Sequence, residues 1–142
     1  MNRARSRKEM HTLLHAAAKV TVQKSDRESY DQAVGPALVE IRITEIFTGD
    51  IDGTSSVRAL QVRNDDRSAS MVSQQRVCGK LGGRPGTFVL QGSEIIANGK
   101  IKATWFVVSG SGTGDLAGLR GEGGFQGQFG KQSDATLDYW FE

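Results

Sequence analysis

The chain reads as an all-β protein, either a sandwich or a closed barrel, and three observations predict this. Apolar and polar residues alternate with period two in eight short segments, the pattern of strands with one face turned inward. Turn sequences rich in Gly, Asn and Asp separate those segments. Nine of the 18 glycines lie between Gly110 and Gly130. In a helix interior each would cost roughly 1 kcal/mol relative to alanine, so no lasting helix forms there.

The first segment runs from Ala16 to Gln23, with Ala18, Val20 and Val22 on one side and Lys19, Thr21 and Gln23 on the other. Residues Ser25 to Gly35 are polar and read as a loop, its Asp26, Glu28 and Asp31 solvated rather than catalytic. Leu38 to Phe47 is the clearest strand: Val39, Ile41, Ile43 and Phe47 share one face, Glu40, Arg42 and Thr44 the other. Thr48 to Gly53 turns the chain into a third strand, Thr54 to Val62. Asn64-Asp65-Asp66 is a second turn whose aspartates cap backbone groups, since the calcium-loop spacing lacks its closing Glu.

Ser68 to Val77 is the fourth strand, where Met71, Ser73, Gln75 and Val77 alternate with Val72, Gln74, Arg76 and Cys78. Gly79 to Gly86 turns into a fifth, Thr87 to Gln91, with a break around Asn98-Gly99. Ile101 to Val108 is the sixth, aligning Ile101, Ala103, Trp105 and Val107. After the glycine-rich loop, Glu122 to Phe129 makes the seventh. In the eighth, Ala135, Leu137, Tyr139 and Phe141 alternate with Thr136, Asp138 and Trp140. Eight strands suffice for a barrel that side chains fill or that holds one small ligand.

The glycine-rich loop invites a phosphate-binding reading, because Gly112-x-Gly114-x-x-Ala117 follows a strand and fits the dinucleotide pattern. That chemistry needs a helix N-terminus facing the pyrophosphate. Here Gly118, Gly121, Gly123 and Gly124 follow, and Asp115 stands where a P-loop needs its lysine. A structural β-connection is the stronger reading.

At 142 residues the chain makes one domain with a real core. Four basic residues against Glu9 give the first ten positions +3, and the remaining 14 basic and 15 acidic groups leave the body at −1. A near-neutral body disfavours nucleic-acid binding. Residues 1–15 read as a basic N-terminal extension and 16–142 as the β domain. Met10 offers an alternative start. The run from Leu13 to Ala18 is too short for a secretory signal, and nothing reaches transmembrane length, so a soluble, cytoplasmic protein is expected. A lone Cys78 forms no intramolecular disulfide and reads as a small buried or half-buried hydrophobe. His11 and His15 lack further ligands and lie outside the predicted domain, which argues against a zinc site and against a hydrolase.

Four stretches occur in order: Thr48-Gly49-Asp50-Ile51-Asp52-Gly53; Gly79 to Gln91; Ser109 to Gly123 (SGSGTGDLAGLRGEG); and a closing Leu137-Asp138-Tyr139. This set resembles a family of small bacterial proteins of unknown function built on the allene oxide cyclase-like barrel. The resemblance covers roughly Val20 to the C-terminus and implies a single antiparallel eight-stranded barrel. Related barrels include cyclases that steer a reactive apolar substrate inside the lumen without metal or cofactor. The chain also departs from that pattern. Gln75 stands where the family commonly has an acidic residue, Gly92 where a histidine often sits, and Ser25-Asp26-Arg27-Glu28 where a tryptophan-containing motif occurs. A glutamine hydrogen-bonds but exchanges no proton near neutral pH.

Two functional readings compete. One is a barrel binding a small hydrophobic molecule, with Met71, Gln75, Phe88, Leu90, Trp105 and Tyr139 as its lining, no cofactor, and a cyclase or isomerase activity within reach. Its cavity is expected to be mostly apolar, with no His, Cys or carboxylate cluster. For each apolar member plain core packing is the competing account. The other is a non-catalytic structural or interaction module, with the Tyr139-Trp140-Phe141 end as a homo-oligomer contact.

Overall fold

The structure is a computed structural model that describes residues 12–128 and 131–142. The expectations for the basic extension up to His11, including the choice between Met1 and Met10, and for Phe129 lie outside the described residues. Eight antiparallel strands form one sheet that closes on itself: β1 (Leu14–Asp31), β2 (Ala37–Gly49), β3 (Ile51–Asp65), β4 (Ser68–Leu81), β5 (Arg84–Ala97), β6 (Lys100–Val107), β7 (Leu119–Gln128) and β8 (Ser133–Phe141). The ring is closed by β1 and β8, from Leu14↔Tyr139 to Val20↔Ser133. Closure leaves the paired length without a free edge.

The alternation read from the sequence sets which face points inward, but the strands run longer than it suggested. β1 begins at Leu14, so His15 lies within the barrel wall, on its outer face and bonded to Asp138. β1 also continues to Asp31 through residues expected to form a loop. Its polar half pairs with β2 from Lys24↔Thr44 to Asp31↔Leu38. A ladder needs a partner's backbone, not apolar side chains, so exposed polar residues extend a strand wherever a neighbour is present. β5 likewise continues to Ala97 before the Asn98-Gly99 hairpin, where both residues take positive φ as a tight two-residue turn requires.

Between β6 and β7 the glycine-rich segment crosses one end of the barrel. It contains a three-residue 3-10 turn, Gly114–Leu116, and Leu116 is fully buried. Thr113 N–H donates to Thr87 O at 2.9 Å, and Val89 N–H donates to the Ser111 hydroxyl at 3.1 Å, so the segment extends the edge of β5. Gly118 takes φ +84, and Glu142 N–H donates to its carbonyl at 3.0 Å.

Beneath that cap lies the larger core cluster, which includes Phe47, Ile51, Leu81, Phe88, Leu90, Trp105, Leu137 and Tyr139. Trp105 stands opposite Gly92 on one side and Gly123 on the other, which leaves room for its indole between strands. A smaller cluster of Val39, Ile41, Ala59, Ala69, Met71, Ile96 and Ile101 fills the far end, and Phe125 packs against both. Cys78 is exposed on the outer face of β4, because it alternates with the inward Val77; the buried placement expected for it is corrected. Trp140 faces away from the lumen and yet is 9% exposed, so it offers little open aromatic surface.

Candidate functional site

A cavity of about 260 Å³ opens in the lumen above the larger cluster. Apolar walls come from Ile41, Ile43, Val57, Ala59, Met71, Ile101 and Phe125. Polar groups come from Glu45 on β2, Ser73 and Gln75 on β4, and Glu94 on β5. The lining is mostly apolar and carries two carboxyl groups, which the sequence reading did not anticipate.

The entrance follows from strand lengths. β1 pairs with β8 no further than Val20↔Ser133, while its pairing with β2 runs to Asp31. Among the described residues the barrel wall has a lateral opening beyond Val20, bordered by Val22, Ser25 and Arg27 on β1 and by Gln128, Lys131 and Ser133 across from them. A register shift between Val22 and Lys24 inserts one extra residue into β1. Such a bulge moves the following side chains to the opposite face, so Ser25 and Arg27 follow Ala18, Val20 and Val22 on the cavity side.

Each carboxyl group holds one serine. Ser55 hydroxyl donates to Glu45 Oε1 at 3.5 Å, a long contact, and Ser73 hydroxyl donates to Glu94 Oε1. Glu94 is 5% exposed and Glu45 is half-buried nearer the opening. Burial pushes the Glu45 carboxyl up to about 7, against the Ser55 hydrogen bond, and the nearby Glu94 charge pushes it further the same way. Burial also raises the Glu94 pKa, opposed by its bond to Ser73. Desolvation disfavours the charged form, and two carboxylates sharing one site disfavour it in each other. Among the described residues neither forms an ion pair, although Arg27 and Lys131 stand at the mouth.

Two buried acceptors that line the cavity have no hydrogen-bond partner among the described residues: Glu94 Oε2 and Gln75 Oε1. An unpaired buried polar atom costs about 1–3 kcal/mol. The cavity therefore favours water or a guest that carries hydrogen-bond donors.

Of the six residues singled out from sequence, Met71 and Gln75 line this cavity. Phe88, Leu90, Trp105 and Tyr139 sit together in the larger cluster beneath it. Trp105 is one ring removed, its centroid 5.2 Å from that of Phe125, and its Nε1–H donates to Thr136 O at 3.2 Å. Burial and the Asp50 charge raise the Tyr139 pKa, partly offset by Arg84. Glu45 and Glu94 were missed, though the signal was present. Glu45 falls between Ile43 and Phe47 on the inward face of β2. Glu94 continues the Phe88, Leu90, Gly92 alternation past the point where β5 was expected to stop. No group of three or more potential metal ligands occurs among the described residues, and no helix there is long and apolar enough to cross a membrane.

A family described as "Protein of unknown function (DUF3224)" matches residues 16–139. The chain is also similar to a DUF3224-family protein of unknown function from Shewanella oneidensis MR-1, known from its crystal structure. The TM-score is 0.77 at 29% identity, over 92% of this chain and 99% of that one. No curated protein matches.

Proposed function

We propose that this protein, which belongs to the DUF3224 family of unknown function, binds one small hydrophobic molecule in its lumen. The observation that carries the reading is the 260 Å³ cavity, walled by apolar side chains and holding buried acceptors without donors. At an interior packing density of about 0.75, it takes a guest of roughly ten non-hydrogen atoms. Met71 and Gln75 contact that guest, while Phe88, Leu90, Trp105 and Tyr139 support the floor. The likeness to allene oxide cyclase-like barrels extends the reading to cofactor-free cyclisation or isomerisation, as fold-level analogy. The single cysteine suits a reducing, cytoplasmic setting. Native mass spectrometry of protein taken gently from cells should reveal a bound organic mass. Titration of a Trp140→Phe variant with naphthalene-like probes should change Trp105 emission. Absence of both overturns the reading.

A second reading, an interaction module, draws on a different observation. Leu60, Val62, Val72 and Ile95 are each exposed on the outer faces of β3, β4 and β5, and Leu60 stands directly opposite Val72. An apolar patch of this kind suits a homo-oligomer contact. Light scattering of the wild type and of Leu60→Lys tests it; a wild type that stays monomeric at high concentration removes it.

A further inference from the structure

We propose that Glu45 and Glu94 make the lumen a proton-transfer site for small apolar carbonyl compounds with an acidic hydrogen on the carbon beside the carbonyl. The inference rests on the ligand-binding reading and assigns it a chemistry. Its basis is placement. The two carboxyls project into one cavity from β2 and β5, three steps apart around a ring of eight strands. They therefore reach a guest from separate walls rather than as sheet neighbours.

Their surroundings differ in a way that divides the roles. Glu94 is buried, and its Oε2 has no partner among the described residues. That free lone pair faces the cavity, and Glu94 is the base: its charge is one of the causes that raise Glu45, so it is the carboxyl that ionises first. Glu45 is nearer the opening, holds Ser55 only at 3.5 Å, and is pushed up to about 7. It keeps its proton up to near neutral pH, where an acid of that strength works best. The other charged groups lining the cavity are Arg27 and Lys131, both at the mouth, where they favour the ionised form of the carboxyl closer to them.

The step balances within the site. The Glu94 carboxylate removes a proton from the α-carbon, and the C–H electron pair becomes the new C=C bond. The carbonyl π pair moves to oxygen, which takes the proton of Glu45. The products are a neutral enol, a protonated Glu94 and an ionised Glu45. In the reverse direction Glu94 returns its proton to the same carbon, or to the γ-carbon of a β,γ-unsaturated ketone, and Glu45 recovers its own. The net result is hydrogen exchange or double-bond migration, with no oxidant, metal or cofactor consumed.

The test uses α-tetralone as the probe. Saturation transfer from protein to probe reports binding, and proton NMR in deuterated buffer reports loss of the α-hydrogens. We expect binding together with exchange above the buffer rate. Glu45→Gln and Glu94→Gln should each slow exchange roughly 100-fold, the size typical of general acid–base catalysis, with saturation transfer retained. Gln74→Ala, on the outer face, should change neither. Should a variant fail to fold, the wild-type pH profile decides: a bell shape supports an acid and a base, and a rate that climbs monotonically with pH overturns them. Binding without exchange overturns proton transfer and leaves the ligand-binding reading standing. No binding overturns the assigned carbonyl class. Exchange unchanged in folded Glu94→Gln overturns the assignment of the base.

Discussion

Replacing Glu45 with Gln should make the folded protein more stable at neutral pH than at acidic pH, relative to the wild type. Folding raises this carboxyl from 4.5 to about 7. The native state therefore holds a proton that the unfolded chain has already released. That contribution is complete below about pH 4.5 and is lost as pH climbs through about 7. A shift of about 2.5 units at 1.36 kcal/mol each sets an upper bound near 3.4 kcal/mol. Glu45 is half-exposed to the opening, and water there screens part of the effect, which leaves about 1–2 kcal/mol. Glutamine keeps the shape and a hydrogen-bonding oxygen for Ser55 but never ionises. Urea denaturation of both proteins at about pH 5 and about pH 8 isolates the effect, because the other titrating groups cancel in the difference except for Glu94, which loses a repulsive neighbour. The variant should gain about 1–2 kcal/mol over the wild type on going to the higher pH, about 3–8 °C in melting temperature. An equal difference at both pH values would show that Glu45 is not desolvated, and the acid assigned to the lumen would go with it.

Gly118→Val should destabilise by more than about 1 kcal/mol, since valine is a severe misfit at positive φ; its Cβ would also lie 2.7 Å from Glu142 O. An unchanged midpoint would remove the glycine-rich segment from its place as a cap. Ala59→Leu projects new bulk into the cavity and should weaken probe binding at least about tenfold while shifting stability by less than about 1.5 kcal/mol, because the added methylenes enter open space rather than a packed core. Probe affinity retained in that variant would place the guest elsewhere. Cys78, exposed on the outer face, should react with a thiol reagent in the folded protein at a rate near that of a free thiol. Slow labelling that speeds up in denaturant would contradict its exposure.

The period-two pattern was legible strand by strand, because alternation is a local property of an extended backbone whose side chains must choose between core and water. It identified the inward residues of β4 and the closing strand β8 without reference to any neighbour. It did not identify strand ends, since a polar run such as Ser25 to Asp31 stays extended only because β2 supplies its hydrogen bonds. It also did not show height along the barrel. Leu90 and Gln75 are register partners that both point inward, yet Leu90 belongs to the packed cluster and Gln75 to the cavity wall. Glu45 and Glu94 are 49 positions apart in the chain, and single-strand reading gave no reason to join them. Closure of the ring placed both in one desolvated space. Burial then raised the proton affinity of both, and the Glu94 charge raised that of Glu45 further; these are properties of the assembled barrel and not of either strand.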